Sequence, residues 1–381
     1  MRRAIVFGLI AVAALAAASL AIARDIGSVD EILIPAGTYT MGCETDDVAY
    51  PDRPDEKPRH EVQLADYYID ILLVTNGQYR DYLVEQNPAN DCYGRLCALS
   101  THEDGYGDLG LYFDGATWLV DSTYEDRPVI NVTWYGAMAF CQAQGKRLPT
   151  EAEWERAAKG ADEHFIYPWG DELIENAANY CYNDNPFRAG LKPWTTPVGY
   201  FDGGLHDGYQ TADGTSPYGL FDMAGNVQEW IYDWFASDYY AQTPPAGWVD
   251  PWGPSAGEFR VARGGSWSGA DTQLRATNRR SYLPTVTVRD IGFRCARGTD
   301  DDIVIDDDAT PDDDTMPDDD TMPDDDTAGD DDAAPDDDDV LDDDAVSDDD
   351  TNSDDDTTTD DDATADDDAA DDDDDDNGCG C

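Results

Sequence analysis

Eight cysteines and four histidines have the widest chemical range in this 381-residue chain. Thiolates attack carbon, change redox state and hold soft metals, while imidazoles move protons or ligate zinc, copper and iron. Their spacing narrows that range. Cys43, Cys92, Cys97, Cys141, Cys181, Cys295, Cys379 and Cys381 contain no Cys-x-x-Cys pair, which argues against a thiolate metal clamp or a dithiol redox motif. Cys92 and Cys97 stand close enough to close a small loop. His60, His102, His164 and His206 are scattered singly, and each reads as a surface or locally satisfied histidine rather than a ligand. The terminal Asn377-Gly378-Cys379-Gly380-Cys381 reads either as an attachment or processing signal or as a mutually bridged pair.

Charge and composition divide the chain that carries these groups. The formal net charge is −62, from 85 acidic against 23 basic residues, and residues 300–381 hold 43 Asp with no Glu, Lys or Arg. Phosphate binding draws on clustered Lys and Arg, so no nucleic acid is expected as a partner. The tail, 299–381, is too poor in apolar residues to offset its ordering entropy and is expected to be disordered. It would serve as a self-repelling spacer or as a weak reservoir of cations. EF-hand sites are not expected in it, because their loop ends in Glu. At the other end, Arg2 and Arg3 precede an apolar or small run from Ala4 to Ala23 that closes on Ala21-Ile22-Ala23. This is the pattern of a secretory signal, 1–23, cleaved after Ala23, with an uncleaved anchor as the alternative. Cleavage would leave no transmembrane helix. Export would place the cysteines where disulfides persist, so the expected location is secreted, periplasmic or on a bacterial cell surface.

The body, 25–298, mixes short helices with many turns. Thr75 is placed to cap a helix through about Glu85, and Thr133 another through Gln144 with Gly145 as its stop. Thr150 and Glu153 form a capping box that opens a third helix, ending near Lys159. Strands are expected at Glu31 to Pro35, Pro197 to Tyr200, Phe259 to Arg263 and Ile291 to Cys295. The rest is rich in Gly, Pro, Asn and aromatic residues, and such long irregular connections need disulfides, metal ions or aromatic anchors to fix them.

Six blocks in the body, in this order, resemble the sulfatase-modifying factor family, which includes the formylglycine-generating enzymes. They are Ile34 to Gly42 (IPAGTYTMG), Gly145 to Glu155 (GKRLPTEAEWE), Tyr167 to Gly170 (YPWG), Tyr218 to Trp230 (YGLFDMAGNVQEW), Arg263 to Trp267 (RGGSW) and Gly292 to Cys295 (GFRC). The resemblance implies an α+β fold, a single C-type-lectin-like domain low in regular secondary structure and commonly carrying calcium. It also implies that Cys141 and Cys295 are bridged, which leaves Cys43 with Cys181.

By the same resemblance, Asp222 and Glu229 would give carboxylate oxygens, and Gly225 and Val227 backbone carbonyls, to a calcium ion. That suits a cation which takes several oxygen ligands from flexible loops. Asn179, through its side chain, and Tyr180, through its carbonyl, match the start of a second calcium site. Trp267, Arg275 and Arg279 match the stretch that forms the substrate groove of the formylglycine generators, with core packing and salt bridges as the alternative role. Those enzymes hold copper with two Cys shortly after the Gly-Gly-Ser-aromatic block. Here that stretch reads Ser268-Gly269-Ala270-Asp271-Thr272-Gln273-Leu274, with no Cys between Cys181 and Cys295. Ser, Asp and Thr do not replace the soft thiolates that select Cu(I), so copper is not expected. The iron-binding His cluster of the ergothioneine branch has no counterpart either. Two functions follow from this reading. One is an exported, calcium-stabilised binding or accessory module for a peptide, glycan or envelope protein. The other is an oxidoreductase of the family with altered oxidation or maturation chemistry.

Overall fold

The computed structural model describes residues 30–43, 53–101, 110–160, 165–188 and 193–299. The expected export signal, the acidic segment beyond Thr299, His102, His164, Cys379 and Cys381 lie outside these residues. Local capping chemistry defines the three helices. In α1, Asn76–Glu85, the Thr75 hydroxyl accepts from the Gln78 N–H while the Gln78 side chain takes the Thr75 N–H. Thr133 caps α2, Trp134–Ala143, through the Gly136 N–H. The Thr150 and Glu153 box opens α3, Glu151–Lys159, which stops at Gly160 with φ +87°. These side chains satisfy amide donors that the first helical turn leaves unpaired.

The strands are short and belong to separate small sheets. β1 (Glu31–Ile34), β2 (Gly37–Met41), β3 (His60–Leu64) and β4 (Tyr67–Asp70) come before α1. Three hairpins follow in the loops: β5 (Asp91–Cys92) with β6 (Arg95–Leu96), β7 (Leu111–Phe113) with β8 (Trp118–Val120), and β9 (Leu205–His206) with β10 (Tyr209–Gln210). The remainder are β11 (Gln228–Trp234), β12 (Trp248–Val249), β13 (Arg260–Arg263), β14 (Arg279–Tyr282), β15 (Ile291–Gly292) and β16 (Ala296–Gly298). The larger sheets run β14-β13-β11-β15, β12-β3-β2 and β1-β4-β16. The outer strand β16 pairs with β4, so the last described strand closes onto the first sheet.

Three of the expected strands are found, the one at Ile291 reduced to two residues. Pro197 to Tyr200 is not a strand. Gly199 turns there with φ +71°, and its N–H is taken by the Asp222 side chain rather than by a ladder. Two apolar clusters fill the interior. One sets α1 and α2 against β11, β13 and β15 through Tyr79, Trp134, Phe140, Trp230 and Phe293. The other packs α3 under the first sheets through Ile34, Tyr67, Trp154 and Val261.

Two disulfides join pairs of described cysteines in this loop-rich body. Cys92–Cys97 closes the β5-β6 hairpin, and Cys141–Cys295 joins α2 to the segment before β16 across 154 residues. Loop-closure entropy gives a bridge of that span a stabilisation of about 5 kcal/mol. The expected pairing of Cys43 with Cys181 is not made. Cys43 is buried, its Sγ lies 4.0 Å from Glu56 Oε2, and its N–H bonds the Glu56 carbonyl. Cys181 is disulfide-bonded, but not to Cys43, and its N–H bonds the Gly269 carbonyl on another loop. Among the described residues no helix is long and apolar enough to cross a membrane.

Candidate functional site

Three loops meet beside the start of β11, and Asn226 ties them together. Its N–H donates to the Asn179 carbonyl at 2.8 Å, its carbonyl accepts from the Trp267 N–H at 2.9 Å, and its side-chain oxygen accepts from the Thr196 N–H at 3.1 Å. The turn that permits this is left-handed three times in five residues: Asp222 φ +57°, Gly225 φ +78°, Asn226 φ +62°. At Gly225 a side chain is excluded, since a Cβ would stand 2.4 Å from the Asn179 carbonyl oxygen. The glycine of Gly225-Asn226 inside the Asp222 to Glu229 block is therefore required by backbone approach.

The expected calcium ligands of this block are buried together but not equally paired. Glu229 is fully buried and faces the Arg294 guanidinium through two bonds of 2.6 and 2.9 Å. Arg294 also donates to the carbonyls of Asp70, Ile71 and Phe221, so it anchors the loop to the first sheet. Asp222 accepts the Gly199 N–H at 2.7 Å and has a weaker approach of 3.4 Å from the Asn226 amide. No cationic side chain bonds it. Burial pushes its carboxyl up to about 6, with the Gly199 N–H and Arg294 opposing that rise and Glu229 adding to it. A buried carboxylate on the same turn as a second one is a donor type that suits a divalent cation. Gly225 and Val227 stand in the same turn. The first set therefore fits calcium in its chemistry, with Glu229 already paired to Arg294.

The second set, Asn179 and Tyr180, does not fit. Asn179 Oδ1 accepts from Asn185 Nδ2 at 2.7 Å, and the Asn179 amide nitrogen donates to the Trp194 carbonyl at 2.7 Å. The Tyr180 carbonyl accepts from Arg188 at 3.0 Å. The oxygens expected to face a metal ion are spent on protein donors.

The groove residues also require correction. Arg275 is buried and forms two bonds to the Glu56 carboxylate, of 2.5 and 2.8 Å. Arg279 is buried and forms two to Glu151, of 2.7 and 2.9 Å. Burial and pairing of both guanidiniums correspond to the alternative, salt-bridge role. Glu151 belongs to a larger interior network. There Glu155 meets Lys159 and Arg263, and its carboxyl is held down to about 2 by those two cations. Asp233, pushed up to about 8 by burial and by the charge on Glu151, accepts the Glu151 N–H at the start of α3. Trp267 is 3% exposed and packs edge-on against Trp194, with ring centroids 5.8 Å apart. Of the described histidines, His60 bonds the Pro58 carbonyl and packs on Tyr240, and His206 bonds Asp202.

What the same face does carry is hydroxyl and carboxylate. Ser266 and Ser268 each donate to Asp290 Oδ2 at 2.7 Å, and their hydroxyl oxygens lie 3.1 Å apart. Ser268, Asp290, Trp194 and Arg188 are half-buried there. Ser268 begins the stretch in which the formylglycine generators carry their copper-binding thiolates. It holds Ser268 and Gly269, a short turn at Asp271–Leu274, and a Leu274 side chain that is fully buried. The serine and aspartate cluster was missed from sequence because its members lie 22 and 24 residues apart in irregular chain. The only hint was hydroxyls on both sides of Trp267.

Residues 22–299 match the family model for the sulfatase-modifying factor enzyme 1-like domain. The formylglycine-generating enzyme of Thermomonospora curvata is 34% identical over 295 residues, covering 70% of this chain and 92% of that protein. The inactive C-alpha-formylglycine-generating enzyme 2 of Bos taurus is 30% identical over 302 residues, covering 71% and 89%. Serine/threonine-protein kinase pkn1 of Chlamydia caviae is 37% identical over 248 residues, but the chain spans only 35% of its length. Among solved structures, PvdO from Pseudomonas aeruginosa superposes with a TM-score of 0.50 at 25% identity, over 70% of this chain and 94% of that one.

Proposed function

The chain belongs to the sulfatase-modifying factor enzyme 1-like family, and from that premise we propose that it is an exported binding or accessory module without formylglycine-generating activity. The observation that carries this reading is the stretch after Gly264-Gly265-Ser266-Trp267. It holds no thiolate, and beside it Ser266 and Ser268 donate to Asp290. Hydroxyls and a carboxylate are hard donors that do not support Cu(I) and its oxygen chemistry. A family relative named as inactive, alongside relatives named as generators, supports a fold that persists without that activity.

The ligand on this reading is a peptide, a glycan or an envelope protein, met at the half-buried face of Ser268, Asp290 and Trp194. Asp290 accepts hydrogen bonds there and Trp194 offers a flat apolar surface, which suits a ligand carrying both hydroxyl or amide donors and apolar edges. Calcium at the Asp222 turn stabilises the module, and the acidic tail collects further cations by charge alone. Export is supported by two disulfides in the body, which persist in oxidising compartments. Intact mass of the protein recovered from its host tests that point. A mature chain starting after Ala23 supports export, and an unprocessed cytosolic chain with reduced Cys141 and Cys295 contradicts it. The activity itself is tested by O₂ uptake with a Cys-containing sulfatase peptide. No peptide-dependent uptake is expected, with or without added copper.

A further inference from the structure

The loop from Asn179 to Arg188 closes around its own donors. Asn179, Asn183 and Asn185 are all buried, at 1%, 2% and 4% exposure. The Asn185 amide donates to both Asn179 Oδ1, at 2.7 Å, and Asn183 Oδ1, at 2.5 Å. A 3₁₀ turn at Pro186–Arg188 then brings the guanidinium back over the loop, where it donates to the carbonyls of Tyr180 at 3.0 Å and Asn183 at 3.4 Å. Two side-chain and two main-chain oxygens thus converge on one amide and one cation. The Asn185 side-chain oxygen is occupied too, by the Phe187 N–H at 3.0 Å.

We propose that Arg188 is the built-in cation of this loop, so that the chain takes no metal ion at Asn179 and Tyr180 and any structural calcium is confined to the Asp222 turn. Oxygens convergent in a loop create a negative potential that a cation must satisfy. Here a guanidinium does so. A calcium ion entering the same place would displace the Asn185 amide and Arg188, leaving buried donors unpaired. The replacement also extends toward the binding face. Arg188 lies over the Trp194 ring, 4.9 Å from its centre, and Trp194 packs on Trp267. The aromatic wall of the face is therefore braced by a covalently attached cation rather than by an exchangeable one.

The proposal is tested on the full chain by equilibrium dialysis with calcium, comparing wild type, Asn179→Ala and Asp222→Asn so that the tail contributes equally to each. Asn179→Ala is expected to leave the tightly bound calcium unchanged, and loss of one ion per chain in that variant would overturn the inference. Asp222→Asn tests the other loop separately: calcium retained there would sink the reading of the Asp222 turn while leaving Arg188 untouched. Hydrogen exchange on the wild-type protein needs no variant. Amides of residues 179–188 should be equally protected in calcium and in chelator, whereas protection that appears only with calcium would contradict a built-in cation. Arg188→Gln should lower the thermal midpoint by several degrees in chelator, and an unchanged midpoint would contradict a bracing role for its guanidinium.

Discussion

At the scale of single residues, the most informative is Asp222. Its folded carboxyl is raised to about 6 from the ordinary 3.8, so between those values the native state holds a proton that the unfolded state has lost. Stability then falls as pH rises through that window, and the full penalty, on the order of 3 kcal/mol, is present above it. In chelator at neutral pH, Asp222→Asn should therefore raise the unfolding free energy by up to about that amount. In calcium the same substitution should lower it, because the ion loses a charged ligand. Urea melts in the two media check both signs, and a destabilisation of equal size in both would refute the metal role. Gly225 makes a simpler prediction. Gly225→Ala forces a Cβ against the Asn179 carbonyl at positive φ and should cost roughly 2 kcal/mol or more, read as a shift in urea midpoint.

Among the elements, what can be read from sequence is what is local. The Thr75, Thr133 and Thr150 caps act within three residues, and all three helices begin where those residues stand. Thr150→Ala should accordingly cost about 1 kcal/mol in thermal or urea unfolding. Long-range pairing is not encoded in this way. Arg275 and Arg279 find their carboxylates 219 and 128 residues away, so no spacing distinguishes them from groove residues until the chain is folded. The turn at Gly199 defeats the expected strand for a related reason, since Asp222 claims its N–H from a distant loop. Cys141 and Cys295 were legible only through the family resemblance. Replacing both by Ala should cost between about 2 and 5 kcal/mol, measured against the wild type under non-reducing conditions.

For the whole molecule, the central claim is that the family fold has been kept while the soft-metal chemistry of its groove has been exchanged for hydroxyls and a carboxylate. The fold explains why this is physically permitted. The stretch after Trp267 is held by main-chain contacts to Asn226 and Cys181 and by buried Leu274, so its conformation does not call for thiolate ligands. The body has its own apolar clusters and disulfides, while the excess of acid is concentrated after Thr299. The decisive measurement combines transition-metal content by mass spectrometry with O₂ uptake on a Cys-containing sulfatase peptide, made on protein purified without chelator and again after copper loading. The account predicts no stoichiometric copper or iron and no peptide-dependent O₂ uptake in either preparation. Bound copper or iron with peptide-dependent uptake would contradict it and make this chain an oxidase whose ligands lie elsewhere.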